Sequence, residues 1–156
     1  MRLLTRLRPE LVRIDAPWRT FHDTIAGLVQ TLVASAQLPA ASAEAAVEAV
    51  VAREAEASTA LLDIHTGVPH GRLRGLTAPA VALAVSPAGL YEAVPTVPIQ
   101  IVALVVSPPD AGADHLETLA GIATLLRSAQ LRAELLAART GTAALEVLGH
   151  RARSLP

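Results

Sequence analysis

The sequence predicts an α/β domain with α+β character: one unit in which a mixed β-sheet is flanked by helices on both faces. Three observations predict it. Apolar runs bounded by prolines stand at residues 80–85 and 99–106, and continuous apolar runs of that length suit strands buried on both faces. Longer segments carry apolar residues at helical spacing. The two kinds of segment alternate along the chain, which is the pattern of a sheet covered by helices. The length, 156 residues, suits a single domain with a core of its own. That domain is expected to fill residues 1–156, with its core over about 9–149 and a short tail at 150–156.

Taken in order, residues 11–14, Leu-Val-Arg-Ile, read as the first strand. Asp15, Ala16 and Pro17 then lead into a helix over 17–36, in which Phe21, Ile25, Leu28, Val29, Leu32 and Val33 share one face. Leu38 and Pro39 end it. Ser42 is expected to cap a second helix reaching about residue 57, with Ala46, Val47, Val50 and Val51 inward and Glu44, Glu48, Glu54 and Glu56 outward. Residues 61–64 are expected to form a strand leading into a loop. After the strands at 80–85 and 99–106, the run Pro108-Pro109-Asp110-Ala111-Gly112 makes a turn. Asp114 is placed to cap a helix through about residue 127, and helices over 129–138 and 142–149 close the chain.

Composition excludes several chemistries. The chain has no cysteine, so disulfides, thiolate metal sites and a cysteine nucleophile are ruled out. It has no lysine either, which removes Schiff-base and P-loop lysine chemistry and leaves arginine as the cation for gripping phosphate. The net charge is -1 and the arginines are scattered, so nucleic acid is not an expected partner. One Trp, one Tyr and one Phe offer little surface for stacking bases or sugars. The apolar run at 99–106 contains Gln100 and is far short of the roughly 20 residues of a spanning helix. Arg6, Arg8, Glu10 and Arg13 interrupt any signal-like start. A cytoplasmic protein with no membrane insertion is expected.

The segment Gly67-Val68-Pro69-His70-Gly71-Arg72 is the most informative stretch. It puts an imidazole among small residues, beside an arginine, where backbone N–H groups can approach a phosphate. A neutral imidazole, with a reference pKa of about 6.5, is a competent nucleophile near neutrality. His115 would lie in the first turn of a helix, where free N–H groups and the helix dipole favour an anion. Other readings compete. His70 alone would suit a surface turn, His115 an ordinary helix start, and Arg53 an ion pair with a neighbouring glutamate. Asp63, His65 and His70 fall short of a zinc pattern, because no H-E-x-x-H helix is present. Neither a G-x-S-x-G elbow nor a nucleotide-binding glycine loop occurs, so no cofactor and no metal are expected. Arg72 and Arg74 suit an acidic partner or mere solubility, and His22 and His150 read as surface residues.

Together with Asp114-His115-Leu116-Glu117-Thr118-Leu119-Ala120, the histidine segment resembles the type-2 IIA domains of the bacterial phosphotransferase system (PTS), its fructose, mannitol and nitrogen-regulatory branch. The resemblance implies that His70 carries a phosphoryl group, that His115 is a second active-site histidine, and that Arg53 clamps the phosphate. It also implies partners: an HPr-like phosphocarrier as donor, and a IIB domain or a regulatory target as recipient. The approach to the histidine, Ala60-Leu61-Leu62-Asp63-Ile64-His65, is bulkier than the glycine-rich approach usual in that family. Two functional classes therefore follow: a phosphocarrier acting through a phosphohistidine, in sugar transport or in signalling, and a non-catalytic regulatory or binding module on the same fold.

Overall fold

The computed structural model describes residues 2–155. A short helix α1 (Arg2–Thr5) and a 3-10 turn (Pro9–Leu11) precede strand β1 (Val12–Ile14), helix α2 (Phe21–Ala34) and helix α3 (Ala43–Glu56). Short strands β2 (Ala60–Leu61), β3 (Thr66–Gly67) and β4 (His70–Arg72) follow, then β5 (Ala80–Val85), a hairpin of β6 (Tyr91–Val94) and β7 (Val97–Ile99), and β8 (Ile101–Ser107). Helices α4 (Gly112–Leu126), α5 (Ala129–Ala137) and α6 (Gly141–Arg153) complete the chain.

The main sheet runs β1-β5-β8-β3-β2, with β4 also paired to β8. It is mixed: β5 is antiparallel to β8, while β1 is parallel to β5 and both β3 and β4 are parallel to β8. Every residue of β5 and β8 is buried, so the sheet is covered on both faces, as their unbroken apolar sequences predict. Helices α2 and α3 pack on each other and reach β5 and β4 respectively, whereas α4, α5 and α6 form a second group against β8 and β1.

One register matters for the site. Thr66 and Gly67 pair with Ile101 and Val102, and His70, Gly71 and Arg72 pair with Val105, Val106 and Ser107, at the same offset along β8. Strands β3 and β4 are therefore one strand pinched at Val68-Pro69. Proline has no N–H to give to the ladder, but the Pro69 carbonyl still accepts from Val105 N at 3.1 Å.

Several local expectations are corrected. Helix α2 starts at Phe21 rather than residue 17, because Thr20 is extended and its side chain accepts from Asp23 N. Ser42 sits at the start of α3 without a side-chain cap, since a 3-10 turn over Ala40–Ser42 already gives it helical dihedrals. Residues 61–64 are not a strand: only Ala60–Leu61 pairs, and Leu62–Ile64 turns into His65, which is left-handed at φ 50°. Asp114 does not cap α4, which begins two residues earlier; instead it grips Arg6 through two hydrogen bonds of 2.8 and 2.9 Å. Residues 99–106 are split at Gln100 between β7 and β8. The chain beyond residue 149 continues α6 to Arg153 rather than forming a tail, and Thr140 caps that helix.

Candidate active site

His70 opens β4 instead of hanging in a free loop. Its Nδ1 lies 2.9 Å from the carbonyl oxygen of Val68, two residues back. A carbonyl can only accept, so Nδ1 carries a proton and donates, and in the neutral ring the lone pair is on Nε2. The pinch at Val68-Pro69 is what turns that carbonyl toward the ring.

Gly71 explains how α3 reaches the histidine. A Cβ there would stand 3.1 Å from Val50 Cγ2 and 3.2–3.3 Å from the backbone of Val50 and Ala49, so a glycine lets the helix lie this close to β4 without being pushed back. The close approach brings Arg53, in the last turn of α3, to the same cleft as His70. Arg53 is half-buried, and a guanidinium N–H donates to the Ala57 carbonyl at 3.1 Å. It is thus tied to the end of its own helix and not to a glutamate; Glu54 instead accepts from Ser58 and Thr59.

His115 reaches the cleft from the opposite side. It lies in the first turn of α4, is 4% exposed, and its Nδ1 is 2.6 Å from the hydroxyl of Ser107, the last residue of β8. The rings of His70 and His115 stand edge to face with centroids 5.3 Å apart. Burial lowers the His115 pKa to about 4, helped by the nearby Arg72 guanidinium and by His70. His115 is therefore neutral at pH 7.

The three residues singled out in the sequence, His70, His115 and Arg53, all line one cleft of about 510 Å³, together with Arg72 and Glu56. Depressions of about 590 and 670 Å³ elsewhere on the surface contain no histidine. Arg72, read from the sequence as suiting an acidic partner or solubility and not as a site residue, donates an N–H to Pro108 O at 3.0 Å, and its charge acts on His115. The signal for it was period two: once residues 70–72 are read as a strand, His70 and Arg72 must share a face. Asp63 and His65 stay out of the cleft; the His65 ring bonds the Pro98 carbonyl at 2.8 Å at the far end of the strand. His22 and His150 are exposed. Among the described residues, no three His, Asp or Glu side chains gather where a metal could be held, and no helix is long and apolar enough to cross a membrane.

The cleft brings two histidines and two arginines together. Arg53, Arg72 and the neutral imidazole of His115 line it with His70, and the exposed Leu116 sits on the rim. Chains of known kind share this architecture. The fructose-specific EIIA component of the phosphotransferase system of Haloferax volcanii is 28% identical over 140 residues, 89% of each chain. The crystal structure of the nitrogen regulatory protein IIA-Ntr of Neisseria meningitidis superposes with a TM-score of 0.80 at 20% identity, covering 95% of this chain and 99% of that one. IIA of the mannitol system of Escherichia coli, solved in complex with phosphorylated IIB, gives a TM-score of 0.74 at 18% identity, covering 93% and 98%. The profile described as phosphoenolpyruvate-dependent sugar phosphotransferase system, EIIA 2, matches residues 6–150, and the chain therefore belongs to that family.

Proposed function

We propose that the protein is a phosphocarrier that accepts a phosphoryl group on Nε2 of His70 from an HPr-like protein. It then passes the group to a IIB component, or signals by its phosphorylation state. One observation carries the reading: the Nδ1–H bond to Val68 O leaves Nε2 of His70 as a free lone pair in a cleft lined by Arg53, Arg72 and His115. In the transfer, Nε2 attacks phosphorus, a new N–P bond forms, and the donor's N–P bond breaks with its electron pair returning to the donor imidazole. No proton has to move. The His70 ring gains positive charge as it attacks, and the Nδ1–H bond to the carbonyl becomes charge-assisted and stronger at that moment.

The cations supply the rest. Phosphoryl transfer depends on positioning and on stabilising charge at the equatorial oxygens, a task suited to Arg53 and Arg72 as charged donors and to His115 as a neutral one. Leu116, 65% exposed beside the cleft, and the arginines offer a mixed apolar and basic rim to a transient protein partner. The bulky Ala60-to-His65 approach ends in a turn on the far side of Pro69 from the ring and does not line the cleft, which favours a working carrier over a silent module.

Incubation with phosphoenolpyruvate, enzyme I and HPr tests the reading. The expected result is an acid-labile phosphoryl mark that is lost in His70→Ala. An unmarked wild-type protein that is nonetheless folded would sink it.

A further inference from the structure

We propose that Ser107 is a positioning residue that fixes the tautomer of His115, donating its hydroxyl proton to Nδ1 so that the ring carries its own proton on Nε2. Ser107 is fully buried at the end of β8, and its backbone is held by the pairing with Arg72 and by Leu73 N–H donating to its carbonyl at 2.9 Å. The side chain therefore has little freedom. Among the described residues its hydroxyl meets one partner, Nδ1 of His115, at 2.6 Å. A buried hydroxyl gives its proton to an acceptor where one is in reach, and among the described residues the acceptor in reach is that nitrogen. Were Nδ1 protonated instead, it would donate to Ser107 Oγ and leave the buried hydroxyl proton with nothing to bind.

The neutral state of His115 turns this into a choice between two tautomers. The serine makes the two imidazoles of the cleft unlike each other. In His70 the proton is on Nδ1, held by the Val68 carbonyl, and Nε2 is a nucleophile. In His115 the proton is on Nε2, and that nitrogen is a donor. A phosphoryl oxygen accepts only, so His115 can bind it in this tautomer and not in the other. The same proton withholds the Nε2 lone pair, so His115 does not compete with His70 for phosphorus.

The inference rests on the phosphocarrier reading for its consequence, but not for its test. Long-range 15N–1H NMR of histidine-labelled protein at pH 7 reads the tautomer directly, whether or not the protein is phosphorylated. The expected wild-type spectrum has His115 protonated at Nε2 and bare at Nδ1, with the same pattern in Ser107→Thr, which keeps the hydroxyl. In Ser107→Ala the Nδ1-protonated form should grow, and phosphoryl transfer from phospho-HPr should slow about ten-fold, the order of one hydrogen bond lost from a reacting site. A wild-type ring protonated at Nδ1 overturns the proposal. So does a Ser107→Ala protein whose spectrum and rate both match wild type. Should alanine disturb the fold, wild type and Ser107→Thr decide alone, since Nδ1 protonation in either contradicts the serine as donor.

Discussion

Gly67 stands three residues before His70, and its lack of a side chain answers to a neighbour rather than to phosphate. A methyl group there would overlap the hydroxyl oxygen of Tyr91, while the next atoms, Ile99 Cγ2 and Tyr91 Cζ, lie at an ordinary 3.5 Å. Gly67→Ala therefore overpacks a buried position and should cost about 2 kcal/mol, within the usual range for forced insertion of a methyl. The clash comes from one atom, and that atom does nothing visible for the fold. The Tyr91 hydroxyl is buried with no hydrogen-bond partner among the described residues, and burial, with Glu54 nearby, pushes its pKa well above the ordinary tyrosine value. Tyr91→Phe keeps the edge-to-face contact with Phe21 at 5.1 Å and should stabilise by about 1 kcal/mol by removing an unsatisfied polar group. In the double variant the alanine methyl fits, so most of the 2 kcal/mol is recovered and the cycle shows a coupling energy of about 1–2 kcal/mol. Urea unfolding of the four proteins measures the coupling, and the rate of His70 phosphorylation shows whether the strand is displaced. A Gly67→Ala protein as stable as wild type, or a loss that Tyr91→Phe leaves unrelieved, would refute the reasoning.

Three further outcomes follow from named contacts. Ala36 occupies the left-handed position after α2 at φ 59°, with Gln37 N–H bonded to Leu32 O and Ala36 N–H to Val33 O, so Ala36→Gly should stabilise by about 1 kcal/mol and raise the melting temperature by about 2–4 °C in calorimetry. The partly buried pair Arg6–Asp114, 17% and 25% exposed, ties the N-terminus to α4, and Arg6→Ala should cost about 2 kcal/mol in urea unfolding, between the surface and buried limits for ion pairs. His115 binds its proton more weakly when folded, at about 4 against the 6.5 of an ordinary imidazole, so the unfolded chain holds more protons in that window. Stability should then rise with pH between about 4 and 6.5, by up to about 3 kcal/mol, and His115→Gln should flatten the rise; an unchanged slope would remove His115 as its source.

What the sequence revealed of the fold follows how local each signal was. Strands β5 and β8 were legible because burial on both faces writes an unbroken apolar run, and α2 to α6 because each buries a stripe. The ends were harder, because caps compete. Thr20, Ser128 and Thr140 hold the N-termini of α2, α5 and α6, whereas Ser42 and Asp114, equally plausible as caps on paper, were preempted by a 3-10 turn and by a distant arginine. The β6–β7 hairpin was missed because its Pro95-Thr96 turn places a β-branched residue at φ 70°, where the usual signal is Asn-Gly.

The candidate site shows the same division between local and distant signals. His70 and its small neighbours are contiguous in sequence, and His115 stands at a helix start, so both could be found by motif. Ser107 could not, nor could the link of Arg72 to His115, because both rest on β4 and β8 lying side by side: Arg72 pairs with Ser107 across the ladder, Ser107 bonds His115, and the charge of Arg72 acts on that same ring. The pinched strand is the hinge of this arrangement. By keeping one register through Val68-Pro69, it holds His70 on the sheet while freeing a carbonyl to choose which nitrogen of that histidine is bare. A proline at 69 therefore has a chemical consequence beyond the turn it suggests: it interrupts the ladder one residue before His70 and leaves the pairing of that histidine's own strand intact.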